Sequence, residues 1–132
     1  MIKILVIDDE EQIREILKQM LERKGCSVCL AENGEEALEI CENQNLDLII
    51  TDMVMPGKSG LKTIQEVKKN YPDIKIIAIS GGYMVGPKRY LDMAKTFGAD
   101  RFFEKPFTSD EIYSAIEELV DESQAIPNDF ND

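Results

Sequence analysis

Leu48-Ile49-Ile50-Thr51-Asp52-Met53-Val54-Met55-Pro56-Gly57 is the stretch that decides the fold. A short apolar run, 46–51, stops at a carboxylate, and a Pro-Gly turn follows within a few residues. Runs of this length bounded by turn residues read as strands buried on both faces, as in a parallel sheet. Asp is a poor strand former, so strand propensity does not explain its place at the end of one. An ordinary reading exists, in which Asp52 closes a turn through its own backbone. The choice between the two depends on what stands at the ends of the other strands.

Outward from this run, the chain alternates between two periodicities. Lys3-Ile4-Leu5-Val6-Ile7 is a strand, followed by Asp8-Asp9-Glu10 and by apolar positions at Ile13, Ile16, Leu17, Met20 and Leu21. Spacings of three and four predict one face of an amphipathic helix, closing near Lys24-Gly25. A second strand runs from Cys26 to Leu30, and a helix after Asn33-Gly34 turns Ala37, Leu38 and Cys41 inward. Beyond Asp52, a helix with Leu61, Ile64 and Val67 inward ends before Tyr71-Pro72, because the residue before proline disfavours helix. Ile74 to Ile79 is the fourth strand, closing at Ser80-Gly81-Gly82. A fourth helix is expected from near Pro87, with Leu91, Ala94 and Phe97 inward and Gly98 past its end. Arg101-Phe102-Phe103-Glu104 is a short fifth strand, and Thr108 or Ser109 caps a last helix with Ile112, Ala115, Ile116, Leu119 and Val120 inward. Residues 123–132 carry no periodicity and read as a loose C-terminal tail. Strands alternating with helices predict an α/β fold, a doubly wound five-stranded parallel sheet with helices on both faces.

Composition narrows the chemistry. The chain of 132 residues suits one domain with one core, and it contains no histidine, which removes the commonest general base and metal ligand. Its net charge of −11 argues against direct DNA binding, since counterion release needs clustered Lys and Arg. No apolar run is long enough for membrane insertion, and a strand pattern starts at once without a leader, so a cytoplasmic protein is expected. Cys26 and Cys29 form a C-x-x-C, but on a strand residues three apart face opposite ways. That suits neither zinc nor a redox pair, and with Cys41 they read as small core residues.

In doubly wound folds ligands bind at the carboxyl ends of the strands. Those ends carry Asp8 and Asp9, Asp52, Ser80 and Lys105. Carboxylates drawn that close repel one another and call for a cation, and an all-oxygen set suits Mg²⁺. A carboxylate beside such an ion can attack phosphorus and form an acyl phosphate. Ser80 and Lys105 would then hold the phosphoryl oxygens by hydrogen bond and by charge.

With Asp8-Asp9, Asp52 followed by Met55-Pro56 and Gly60, Ser80 closing the fourth strand, and Lys105-Pro106-Phe107, the sequence resembles the receiver domains of two-component response regulators over residues 1–122. The resemblance implies a flavodoxin-like strand order, 2-1-3-4-5, and Mg²⁺-dependent phosphorylation of Asp52 from a phosphohistidine donor. It implies that Asp9, Asp52 and the backbone carbonyl of Val54 bind Mg²⁺ directly while Asp8 acts through water. It makes Ser80 and Phe102 the switch pair and Lys105 the phosphoryl partner, and it implies a cis Lys105–Pro106 bond. The family's partners would be a sensor histidine kinase or phosphotransfer protein and a downstream protein target. That target would be met by a surface of the fourth helix, fifth strand and last helix. No output domain follows residue 122, so a stand-alone, chemotaxis-regulator-like protein is expected. Such a protein is a phosphoacceptor switch, not an enzyme, that assists its own phosphorylation and slow autodephosphorylation. Slowness follows from Val54 and Gly82, which cannot orient a water. Two departures from the pattern are that missing output domain and the stretch 81–86, which is longer than usual. A haloacid dehalogenase-type phosphatase, the competing aspartyl-nucleophile reading, wants an Asp where Val54 stands, which makes it the weaker reading. A phosphorylation-independent binding module is the other alternative, and it would normally have lost one of the acids or the lysine.

Overall fold

The computed structural model describes residues 1–53, 60–80 and 98–124. Within them lie strands β1 (Lys3–Ile7), β2 (Ser27–Ala31), β3 (Leu48–Asp52), β4 (Lys75–Ser80) and β5 (Arg101–Glu104). The helices are α1 (Glu11–Arg23), α2 (Gly34–Asn43), α3 (Gly60–Asn70) and α4 (Ser109–Gln124). The helix expected from Pro87 lies outside the described residues.

All strand pairs are parallel, and the order is β2-β1-β3-β4-β5, as the resemblance implies. The central position of β3 explains its composition, because every one of its residues is buried. The period-two alternation of the strands divides the core into two layers. Leu5, Ile7, Ile49, Ile76 and Ala78 meet Ala37 and Cys41 of α2 and Ile64 and Val67 of α3. Ile4, Val6, Leu48, Ile50, Ile77 and Ile79 meet Leu17 and Leu21 of α1 and Ile112, Ala115, Ile116 and Val120 of α4. Each buried Leu, Ile or Val among them contributes about 1.5–3 kcal/mol, which is what holds helices to both faces. Cys29 packs in the first layer and Cys26 in the second, so the C-x-x-C is split across the sheet and all three cysteines are free.

Several details differ from the sequence reading. Ile16 is 59% exposed and does not face the core. It lies at the margin of an apolar stripe whose centre runs through Ile13, Leu17 and Leu21, and the sheet covers only that centre. Strands β2, β3 and β4 each begin and end a residue or two later than the hydrophobic runs alone suggest, so Asp52 and Ser80 are the last strand residues and not the first loop residues. Thr108 is the cap of α4: its hydroxyl accepts from the Glu111 amide (3.1 Å), and the Glu111 carboxylate accepts from the Thr108 amide (2.9 Å). That helix reaches Gln124 and takes in two residues that periodicity leaves to the tail. The rest of the tail, 125–132, lies outside the described residues. Among the described residues no helix is long and apolar enough to cross a membrane.

Candidate functional site

Two neighbouring strand ends, those of β1 and β3, supply the three carboxylates. Asp8 follows β1, Asp52 ends β3, and the register that sets Ile7 beside Thr51 brings the two acids to the same edge of the sheet. Asp9 comes next in the chain. Asp8 and Asp52 are nearly covered, at 2% and 8% exposure, while Asp9 is open to solvent. One carboxylate oxygen from each of the three lies within 4.8 Å of the others.

The environment of Asp8 is asymmetric. Its Oδ1 accepts from the Glu10 amide (2.9 Å), its own amide donates to the Ala31 carbonyl (3.2 Å), and its carbonyl accepts from Arg14 Nη1 (2.8 Å). Burial, set against the Glu10 hydrogen bond and reinforced by the charge of Asp52, raises its pKa to about 6. The ionised form of Asp8 is therefore costly in the absence of a cation. Lys105, reached through a chain whose amide donates to the Ser80 carbonyl (2.8 Å), extends its ammonium into the cluster. Its Nζ stands 3.5 Å from Asp52 Oδ2 and 3.7 Å from Asp8 Oδ2. Burial acts to lower the Lys105 pKa, but Asp52 and then Asp8 outweigh it and raise the value, so the side chain stays charged at neutral pH. The Lys105–Pro106 bond is cis.

Ser80 is fully buried at the end of β4, paired in register with Glu104. Phe102, two residues back on β5 and opposite Ala78, is half-buried against the α2–α3 layer of the core. Val54, expected to offer a carbonyl, and Gly82 lie outside the described residues, as does the stretch 81–86. Gly60 explains its own identity: a Cβ there would overlap the Asp52 carbonyl and stand 2.7 Å from Met53 Cα. The first turn of α3 can approach the end of β3 only because that side chain is missing.

The donor set fits a hard divalent cation. It consists of carboxylate oxygens held by strand ends, without sulfur or imidazole, which is the chemistry Mg²⁺ takes, with waters completing its shell. Sequence reasoning passed over Arg14, which touches the site from behind. Its contact is with a main-chain carbonyl, which no residue pattern displays; the visible clue is a guanidinium placed amid Glu10, Glu11 and Glu15.

Comparison with known proteins agrees with this geometry. The family model described as the response regulator receiver domain matches residues 4–117. Sporulation initiation phosphotransferase F of Bacillus subtilis is 32% identical over 118 residues, covering 89% of this chain and 93% of that protein. A receiver domain protein of Clostridium thermocellum superposes with a TM-score of 0.86 at 35% identity, over 95% of this chain and 98% of that one. The response regulator TrrA of Thermotoga maritima, solved in complex with Mg²⁺ and BeF, gives 0.80 at 40% identity, over 90% and 99%. The chain spans about half the length of several other curated relatives it matches, transcriptional regulators among them. Receiver domains are phosphoacceptor signalling modules that bind Mg²⁺ at an acidic pocket and interact with histidine kinases or phosphotransfer proteins. This chain belongs to the response regulator receiver domain family.

Proposed function

We propose that residues 1–122 form a phosphorylation-controlled protein-binding switch whose phosphoacceptor is Asp52. The observation that carries this reading is the convergence of Asp8, Asp9 and Asp52 within 4.8 Å, with the Lys105 ammonium 3.5 Å from Asp52. An Asp52 carboxylate oxygen attacks the phosphorus of a phosphohistidine; the P–O bond forms as the P–N bond breaks and the imidazole departs. Asp8, Asp9, Asp52 and the Val54 carbonyl would hold Mg²⁺, which supplies charge neutralisation for the incoming phosphoryl oxygens. Lys105 turns from the Asp52 carboxylate to a phosphoryl oxygen, and the Ser80 hydroxyl donates to another.

Ser80 and Phe102 sit on paired strands, two residues apart in register, so a movement of one is felt by the other through the β4–β5 ladder. The phosphoryl group can shift the balance of two states only by contacts it makes better in one of them, chiefly at Ser80 and Lys105. The readout surface is β5, α4 and the helix expected from Pro87. Its partners are a sensor histidine kinase or phosphotransfer protein upstream and a protein target downstream. A net charge of −11 opposes direct DNA binding by this domain. Val54 and Gly82 favour slow autodephosphorylation, since neither side chain can orient a hydrolytic water.

The test is incubation with Mg²⁺ and a small-molecule phosphodonor, followed by intact-mass measurement. Wild type should gain one phosphoryl group, and Asp52→Asn none. Labelling of the Asn variant, or labelling undiminished in excess chelator, would sink the proposal.

A further inference from the structure

Asp8 holds its place in the rim through its main chain as much as through its carboxylate. Its amide is fixed to β2 by the Ala31 carbonyl, and its carbonyl is fixed to α1 by Arg14. The Arg14 side chain is 13% exposed, although it stands on a helix whose neighbouring positions, Gln12, Glu15 and Ile16, are open to solvent. Its second guanidinium nitrogen, Nη2, lies 4.0 Å from Glu32 Oε2, just beyond the end of β2. Arg14 thus spans the outer side of the β1–α1 connection, from which Asp8 and Asp9 both project.

We propose that Arg14 is a positioning residue for the cation site, a role that rests on the reading of the rim given above. Two physical effects carry it. Fixing the Asp8 carbonyl fixes the peptide that joins Asp8 to Asp9, and with it the direction in which the exposed Asp9 carboxylate leaves the chain. The guanidinium also places a permanent positive charge behind the acids without occupying a carboxylate oxygen. Lys105 contrasts with it, because its ammonium stands against Asp8 Oδ2 and Asp52 Oδ2, oxygens that a cation would share. Arg14 can remain in place when the metal binds, whereas Lys105 has to yield part of its contact. Groups that orient metal ligands from behind typically change metal affinity about 10–100-fold when removed.

The experiment is calorimetric titration of the full chain with Mg²⁺, alongside thermal unfolding in excess chelator. Arg14→Met, which keeps the length and loses both donor and charge, should weaken Mg²⁺ binding about tenfold. Arg14→Lys should recover most of that loss. Arg14→Gln, retaining a short donor without charge, should fall between them and serves as the decisive variant if the Met variant does not fold. Glu32→Gln, which leaves the Asp8 contact intact, should bind within about twofold of wild type. Wild-type affinity in Arg14→Met, or in Arg14→Gln where only that variant folds, overturns the inference. So does a loss of stability in chelator with metal affinity unchanged, which marks a purely structural role. Asp9→Asn separates the two layers of the argument. If wild type takes up no Mg²⁺, or if Asp9→Asn binds as tightly as wild type, the reading of the rim itself has failed.

Discussion

The two ends of the same sheet use aspartate in opposite ways. At the foot, each acid has its own partners. Asp47 Oδ2 accepts from the Lys3 amide (2.8 Å), while the Asp47 main chain joins Lys3 and Lys75 (2.9 and 3.1 Å). Asp100 Oδ2 accepts from the Ile76 amide (2.8 Å) and pairs with Lys68 Nζ (3.2 Å), which also donates to the Ile74 carbonyl (3.0 Å). These carboxylates satisfy amides at the starts of strands and tie the sheet to α3. At the carboxyl rim, Asp8, Asp9 and Asp52 crowd together, and Lys105 is shared between two of them. The foot is built for stability. The rim gathers three carboxylates around the Lys105 ammonium, and the excess negative charge is what the proposed cation would relieve.

Among effects on the metal-free protein, the largest is expected from breaking the foot. Asp100→Ala removes a charged acceptor from the Ile76 amide and leaves Lys68 without its carboxylate. Hydrogen bonds to charged groups are worth about 1.5–3 kcal/mol, so a loss of about 2 kcal/mol is expected in urea denaturation. A loss below about 0.5 kcal/mol, the size of an ordinary surface change, would show that the latch is idle.

The same conservative change at the two ends sharpens the contrast further. Asp8→Asn keeps an oxygen for the Glu10 amide and removes a buried charge. Because burial raises the folded-state pKa of Asp8 from 3.8 to about 6, the folded protein binds a proton more readily than the unfolded chain in that window. Stability therefore falls as pH rises through it, and the penalty is fully present above it. In chelator at pH 7.5, Asp8→Asn should be more stable than wild type by about 1–2 kcal/mol, with the advantage shrinking as pH falls below about 6. A variant less stable than wild type at pH 7.5, or an advantage that grows on acidification, contradicts this. Asp47→Asn also keeps an acceptor, for the Lys3 amide, and should cost only about 0.5 kcal/mol, with the opposite sign. Equal signs at the two positions would erase the distinction between foot and rim.

The rim was legible in the sequence because topology forces it. Once β1, β3 and β4 are read as parallel buried strands, their carboxyl ends must share an edge, so Asp8, Asp52 and Ser80 fall together whatever the fine geometry. The foot was not legible. Asp47 and Asp100 bind main-chain amides, and which amide an acid meets depends on strand register, which hydrophobic pattern fixes only to within a residue or two. Arg14 escaped notice for the same reason. Ile16 misled in the other direction, because apolar spacing gives the direction of a helical stripe but not how wide a face the sheet will cover. Gly60, quoted as part of a motif, acquires its physical reason only when the Asp52 carbonyl is seen where its Cβ would be.

The claim that the rim is a cation site, unstable until filled, is tested most directly by unfolding wild type in excess chelator and again in Mg²⁺ at neutral pH. At a concentration of about 100 times its dissociation constant, a ligand specific to the folded state adds about 2.7 kcal/mol. The account predicts a gain of that order for wild type and its loss in Asp9→Asn, where the solvent-facing ligand is neutralised. Equal stability of wild type in chelator and in Mg²⁺, or the full gain in Asp9→Asn, would contradict it.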